Sequence, residues 1–166
     1  LLKYAQTDAL TGLYNKETTV QLTDELLSED ENKYHAFLIL DVDCFKQIND
    51  IYGHAVGDIV LQKFGKLLKG TFREGDILGR IGGDEFGVIM KNIQTKDIAM
   101  KKAEELLAKT QAYKIDELKG NNISISIGIS TAPQDGDCYM DLYKRADQAL
   151  YQAKRSGKAR VCNYFS

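Results

Sequence analysis

Tryptophan is absent from the 166 residues, proline occurs once (Pro133), and cysteine occurs three times. Cys44, Cys138 and Cys162 are odd in number, widely spaced and free of any CxxC pair. That excludes a disulfide framework and a zinc-type cluster, and leads to free thiols in a reducing cytosol. No apolar stretch approaches the ~18 residues of a membrane span, and no signal peptide is visible. A surplus of one charge is also missing: 22 basic residues face 24 acidic ones, for a net charge of −2. Without a global basic field nucleic acid is not an expected partner, so an anion has to be met locally or through a metal. There is no GxxxxGK[ST] loop, no internal repeat, no low-complexity tract and no linker. What remains is an ordinary composition, 43% hydrophobic and 28% charged, sized for one domain spanning residues 1–166 with a full core. The chain begins at Leu1 rather than Met, so a module cut from a longer protein is expected. The expected location is cytoplasmic, with no membrane contact from this segment, while the parent protein's anchoring stays open.

Periodicity organises the chain. Thr18 to Leu27 has helical spacing, and Ser28 to Asn32 reads as a polar loop. Ala36 to Val42 is a continuous apolar run ending in Asp41-Val42-Asp43, the pattern of a central strand buried on both faces. Val56 to Leu68 and Lys96 to about Thr110 follow a 3.6-residue period and predict helices. Ile123 to Ile129 alternates isoleucine with serine or glycine, which predicts a strand packed on one face and crowded on the other. Leu142 to Ala153 predicts a third main helix, and Arg160 to Phe165 a last strand. Strands interleaved with helices point to a mixed sheet with helices packed on it.

Between two strand-like runs lies Gly82-Gly83-Asp84-Glu85-Phe86, which reads as a β-hairpin turn. The glycines are expected to accept positive φ and to let another molecule approach the backbone. Asp41, at the end of a buried strand, is costly unless it is paired or bound to metal. If the hairpin neighbours that strand, Asp41 and Asp84 converge, and two hard oxygen ligands suit Mg²⁺ shared with substrate phosphates. Asp43 has a plainer role available, capping a helical segment from Phe45 to Ile51. The amides of Cys44 and Phe45 would be free at that helix start and form an anion seat, with Lys46 adding a point charge. Asn49 and Asp58 are candidates for reading a guanine edge, since a carboxylate accepts from N1–H and N2–H together. Their plainer roles are a turn residue and a cap for a helix from Ile59. His54, between two glycines, has at most a minor substrate contact. Lys154 and Lys158 sit in a basic turn at a helix C-terminus, suited either to the helix dipole or to outer phosphates. Arg73, three residues before Asp76, is either a surface ion pair or an arginine fork for phosphate or guanine.

The ordered series Asp8-Ala-Leu-Thr-Gly-Leu-Tyr-Asn-Lys16, Asp41-x-Asp-x-Phe-Lys-x-Ile-Asn-Asp50, Gly53-His-x-x-Gly-Asp58, Arg80-x-Gly-Gly-Asp-Glu-Phe86, Ser124-x-Ser-x-Gly128 and Ala146-Asp-x-Ala-Leu-Tyr-x-Ala-Lys154 resembles the GGDEF-domain family, the diguanylate cyclases, over about residues 4–165. The resemblance implies an α/β fold of the nucleotide-cyclase and polymerase-palm kind. Its centre is a mixed, mainly antiparallel five-stranded sheet flanked by helices, with a hairpin carrying the turn. It implies condensation of two GTP into cyclic di-GMP and two pyrophosphates across a two-fold homodimer. By position, Asp41, the carbonyl of Val42 and Asp84 match ligands for Mg²⁺ or Mn²⁺, two ions per site. Asp84 matches the general base, with Glu85 its competitor. Cys44, Phe45, Lys46, Lys154 and Lys158 match phosphate contacts, Asn49 and Asp58 the guanine readers, and His54 a substrate contact. Arg73 and Asp76 match an inhibitory RxxD site for cyclic di-GMP. Lys16 and Lys158 stand where the family often has arginine. No clear second arginine follows the hairpin, where Glu104 and Glu105 lie, so product inhibition is less secure than catalysis. The rival expectations are a catalytically weak domain that senses GTP or cyclic di-GMP, and a hybrid GTP–ATP cyclase. The intact turn and Asp58 speak against these two in turn.

Overall fold

The structure is a computed structural model that describes residues 6–165. The hydrophobic run of β1 (His35–Val42) is buried along its whole length and forms the middle of a five-stranded sheet. The helices are α1 (Lys16–Glu29), α2 (Phe45–Tyr52), α3 (His54–Thr71), α4 (Lys96–Ala112) and α5 (Tyr139–Arg155). The other strands are β2 (Ile77–Arg80), β3 (Glu85–Met90), β4 (Ile125–Ala132) and β5 (Val161–Asn163). Strand order is β2-β3-β1-β4-β5. Every pairing is antiparallel except β4 with β5. The expected hairpin is β2 and β3 themselves, so it extends the sheet at one edge.

Alternation along β1 divides the core in two. Leu38, Leu40 and Val42 face one side, with Phe64 of α3, Leu106 of α4 and Phe86 of β3. Phe64 and Phe86 meet edge to face at 5.0 Å between ring centroids. Phe37 and Ile39 face the other side, with Leu26 of α1 and Tyr139, Leu142, Ala146 and Leu150 of α5. Each such side chain fully buried stabilises the fold by about 1.5–3 kcal/mol.

The alternation in β4 has the consequence read from it. Its isoleucines 125, 127 and 129 pack with α3 and α4, while Ser126, Gly128 and Ser130 lie under α5. At Gly128 an added Cβ would stand 2.1 Å from the carbonyl oxygen of Ala146 and 2.4 Å from the amide nitrogen of Leu150. Only a bare backbone lets the helix come this close. Ser130 donates its hydroxyl to the carbonyl of Leu142 at 2.7 Å, a second tie between strand and helix.

Several boundaries differ from the sequence reading. The helix α1 starts earlier, at Lys16, where Asn15 Oδ1 caps it by accepting from the Thr18 amide, and it runs on to Glu29, just past the buried leucines 26 and 27. α3 begins at His54, so Asp58 lies inside it and caps no helix from Ile59. Asn49 is a helical residue of α2, not a turn residue. The last strand is shorter than Arg160 to Phe165, because its pairing with β4 covers only Val161 to Asn163.

Candidate active site

Strand register builds the site. Asp41 pairs with Glu85 on one side and Ser126 on the other. The Val42 amide donates to the carbonyl of Asp84 at 3.3 Å. The turn Ile81–Asp84 therefore lies against the end of β1, as expected if the two acids converge. Neither Gly82 nor Gly83 adopts positive φ, contrary to the sequence reading; instead Gly83 faces open space. The turn is closed by the Glu85 carbonyl, which accepts from the amides of Ile81 at 2.9 Å and Gly82 at 3.1 Å.

Arg80, quoted in the sequence only as part of a motif, anchors this turn. Its guanidinium donates to the carbonyl of Gly83 at 2.8 Å and 3.1 Å and pairs with Asp8 at 3.2 Å. Burial works to raise the Asp8 carboxyl, yet hydrogen bonds from the Thr11 hydroxyl and amide and the Arg80 charge hold it below its ordinary value. The N-terminal Asp8–Thr11 motif thus grips the hairpin from 72 residues away.

Asp41 is pushed up to about 7 from an ordinary 3.8, chiefly by burial and further by the neighbouring Asp84 carboxyl, against the pull of Lys154. Oδ2 accepts from the Lys154 ammonium, while Oδ1 is buried with no hydrogen-bond partner among the described residues. Lys154 loses solvation by partial burial, but the carboxylates of Asp41, Asp84 and Asp43 keep it more firmly protonated than a free lysine. Glu85 is also raised, by burial first and then by the charges of Asp147 and Asp84, while a hydrogen bond from Tyr143 opposes them. The Tyr143 hydroxyl donates to Glu85 Oε1 at 2.8 Å, and its ring stacks on Tyr139 at 5.8 Å. Burial and Glu85 together raise the Tyr143 phenol, which stays protonated as a donor.

Asp43 does not cap α2. The N-cap is Cys44, left-handed at φ +55° with no side-chain cap. The Asp43 carboxylate turns away and accepts from the hydroxyls of Ser124 and Ser126, both at 2.7 Å, and from the Ala159 amide at 3.1 Å. The Lys158 ammonium lies 3.1 Å from Cys44 Sγ, over the start of α2. Phe45 and Lys46 occupy the first turn of that helix, where amides lack helical partners. Asn49, on the same helix, presses against α3: a Cβ at Gly57 would fall 1.9 Å from Asn49 Oδ1. The glycine therefore leaves room for the Asn49 side chain, and His54 and Asp58 on the same helix as Gly57 are exposed. The structure thus gathers the predicted metal and phosphate residues at one end of the sheet, with the base-reading candidates on the adjoining α2–α3 pair.

Arg73 and Asp76 lie elsewhere, at the far end of the hairpin from its turn. Asp76 accepts from the amides of Arg73 and Lys91, both at 3.1 Å, and from the Arg73 guanidinium at 3.3 Å. Arg73 also donates to the carbonyl of Lys91. The pair borders an open depression of about 450 Å³, which Leu13, Tyr14, Lys69 and Leu78 also line.

Residues 5–160 match the family described as "Diguanylate cyclase, GGDEF domain". The chain belongs to the GGDEF-domain family. Diguanylate cyclase A of Treponema denticola is 37% identical over 167 residues, covering 97% of this chain and 45% of the relative. Response regulator PleD of Caulobacter vibrioides is 38% identical over 165 residues, covering 96% of this chain and 36% of the relative. The chain therefore spans less than half the length of these curated relatives. The GGDEF domain of TpbB from Pseudomonas aeruginosa superposes with a TM-score of 0.90 at 32% identity, covering 96% of this chain and 94% of that one. The coiled coil and GGDEF domain of DgcB from Caulobacter crescentus, solved in complex with c-di-GMP, gives a TM-score of 0.89 at 27% identity over 98% and 87% of the two chains. The GGDEF turn of this chain is the Gly82–Phe86 segment that Arg80 anchors. Sequence reasoning missed Tyr143 and the structural role of Asp43; the only advance signal for Asp43 was the paired serines of β4.

Proposed function

We propose that this GGDEF domain condenses two GTP into cyclic di-GMP and two pyrophosphates, two copies facing each other about a two-fold axis with one nucleotide each. The observation that supports this most is the buried Asp41 carboxyl beside Asp84, raised to about 7 and left with one unpartnered oxygen. A buried acceptor without a donor is costly in a finished fold, and it suits a ligand. The donor set of carboxylates and a backbone carbonyl fits a hard divalent cation, Mg²⁺ or Mn²⁺. Asp41, the Val42 carbonyl and Asp84 would hold it, two ions per site; when bound it supplies Lewis acidity and charge neutralisation at phosphate oxygens.

The chain's own residues do the rest. Lys154, Lys158, Lys46 and the amides of Cys44 and Phe45 hold the triphosphate. Asn49 and Asp58 select guanine by matching its paired donors, and His54 adds a contact. The Asp84 carboxylate, or its neighbour Glu85, takes the proton from the 3′-hydroxyl as that oxygen attacks the α-phosphate held by the facing domain. Pyrophosphate then leaves from the cationic end of the site. The c-di-GMP complex of DgcB supports binding of the product by this fold. For product inhibition we assign Arg73 as the contact and Asp76 as its internal brace. Among the described residues no helix is long and apolar enough to cross a membrane. A domain that consumes GTP would work where GTP is, in the cytoplasm.

The test is an enforced dimer of the chain incubated with GTP and Mg²⁺, with the cyclic product and pyrophosphate measured by chromatography. Product at a 1:2 ratio to pyrophosphate supports the cyclase. Tight GTP binding without any product overturns it in favour of a sensor.

A further inference from the structure

Two consecutive residues of the turn after α5, Lys158 at φ +63° and Ala159 at φ +50°, adopt the left-handed conformation although neither is glycine. L-residues enter that region only when the surroundings over-determine it. Three bonds meet there. The Lys158 amide donates to the carbonyl of Ala153 at 3.0 Å, the Gly157 amide to that of Lys154 at 3.3 Å, and the Ala159 amide to the Asp43 carboxylate at 3.1 Å. The first two tie the turn to its own helix. The third ties its left-handed residues to the sheet, and one residue later the Arg160 carbonyl accepts from the Ile127 amide of β4 at 2.9 Å. Asp43 itself is buried, and the hydroxyls of Ser124 and Ser126 fix its carboxylate from β4. Its neighbour Cys44 is the residue whose sulfur receives the Lys158 ammonium at 3.1 Å.

We infer that Asp43 is a positioning residue: by holding the Ala159 amide it fixes the left-handed turn that carries Lys158 over the start of α2. The carboxylate works through the turn and touches no nucleotide. It acts as a clasp among three segments, the end of β1, the start of β4 and the exit from α5. A charged acceptor makes a stronger bond to an amide than a neutral one, and burial strengthens it again. Lys158 is a flexible side chain on an exposed turn. Fixing its backbone limits where the ammonium can go, so less order remains to be imposed when phosphate arrives. The consequence for GTP rests on the cyclase reading; the placement of Lys158 does not.

The test therefore has two readouts in the full chain. The first is the rate at which iodoacetamide alkylates Cys44 at fixed pH, resolved from Cys138 and Cys162 by peptide mass spectrometry. An ammonium beside a sulfur speeds that reaction, so the rate reports where Lys158 stands. Lys158→Ala sets the rate without it. Asp43→Asn is expected to slow Cys44 alkylation to the Lys158→Ala rate and to raise the KM for GTP about tenfold, with kcat held within about twofold. In the Lys158→Ala background, Asp43→Asn should add nothing to either readout. Ala159→Gly, which accepts the left-handed conformation without strain, should restore part of the loss in Asp43→Asn and keeps the test open if the single variant folds poorly. Ser126→Ala, which removes one donor to Asp43 but leaves Ser124 holding the oxygen that Ala159 binds, should slow alkylation clearly less than Asp43→Asn. Wild-type alkylation in Asp43→Asn would overturn the inference, as would equal slowing in Ser126→Ala, since a general brace of the core would give that. Slowed alkylation in Asp43→Asn with no GTP turnover even in the wild type would leave the clasp standing and remove the cyclase reading.

Discussion

Two buried carboxylates at opposite ends of the hairpin are treated in opposite ways. Asp76 accepts three hydrogen bonds from its own chain, and its side chain is 1% exposed. Asp41 is nearly as buried, yet one of its oxygens has no partner and an adjacent acid raises it. The first arrangement closes a corner of the fold. The second leaves an acceptor open where another molecule can complete it. The difference separates an unsatisfied end from a closed end within one small sheet, and hydrogen-bonding capacity left unspent inside a protein is costly unless something else takes it up.

The comparison can be broken at either end. The largest effect is expected at the open end: Asp84→Ala should lower turnover of GTP on the order of a hundredfold or more, measured as cyclic product, with little loss of folding stability. At the closed end the balance reverses. Asp76→Ala leaves the amides of Arg73 and Lys91 without their acceptor, while the Arg73 guanidinium keeps the Lys91 carbonyl, and should cost about 2 kcal/mol in urea denaturation with little change in kcat. Retained stability in that variant would erase the contrast. A pH series sharpens it. The folded value of Asp41 is about 7 against an ordinary 3.8, so the fold favours its protonated form. That contribution is complete below the ordinary value and is lost as pH rises through about 7. In metal-free buffer the wild type should therefore lose stability relative to Asp41→Asn between about pH 4 and pH 7, read from paired denaturation curves. The smallest effect is expected at Tyr143. Tyr143→Phe keeps the stack on Tyr139 but removes the donor to Glu85, which should cost about 1 kcal/mol and lower kcat severalfold at unchanged KM.

Local sequence pattern carries much of this architecture. The apolar run of β1 with an acid at its end, and the Gly-Gly-Asp-Glu turn, lead to the expectation that Asp41 and Asp84 converge if the hairpin neighbours β1, and the hairpin does pair with β1. The isoleucine–serine–glycine alternation of β4 foretold a crowded face, and Gly128 under α5 is that face. What stayed hidden depends on long separations. Asp43 read as a cap because its nearest neighbours in sequence begin a helix; its donors lie 81, 83 and 116 residues away. Lys154 read as a phosphate contact, and its bond to Asp41 spans 113 residues. Tyr143 gave no signal, because a tyrosine on a helix that packs against a sheet reads as core. The glycines of the turn were legible as a place of open access and misread as a place of left-handed backbone. Openness follows from the missing side chains alone, whereas the dihedral angles depend on how the Glu85 carbonyl gathers the loop.

The bare stripe of β4 has a further effect on how such a domain can be controlled. With no cushion of side chains between Gly128 and the backbone of α5, sliding the helix over the sheet would force backbone against backbone. A push on the helix cannot slide Lys154 past Asp41 or loosen Tyr143 from Glu85 without breaking backbone contact along the seam. Tuning by small internal shifts is therefore a poor lever here. Control is better exerted from outside, on the placement of the domain as a whole.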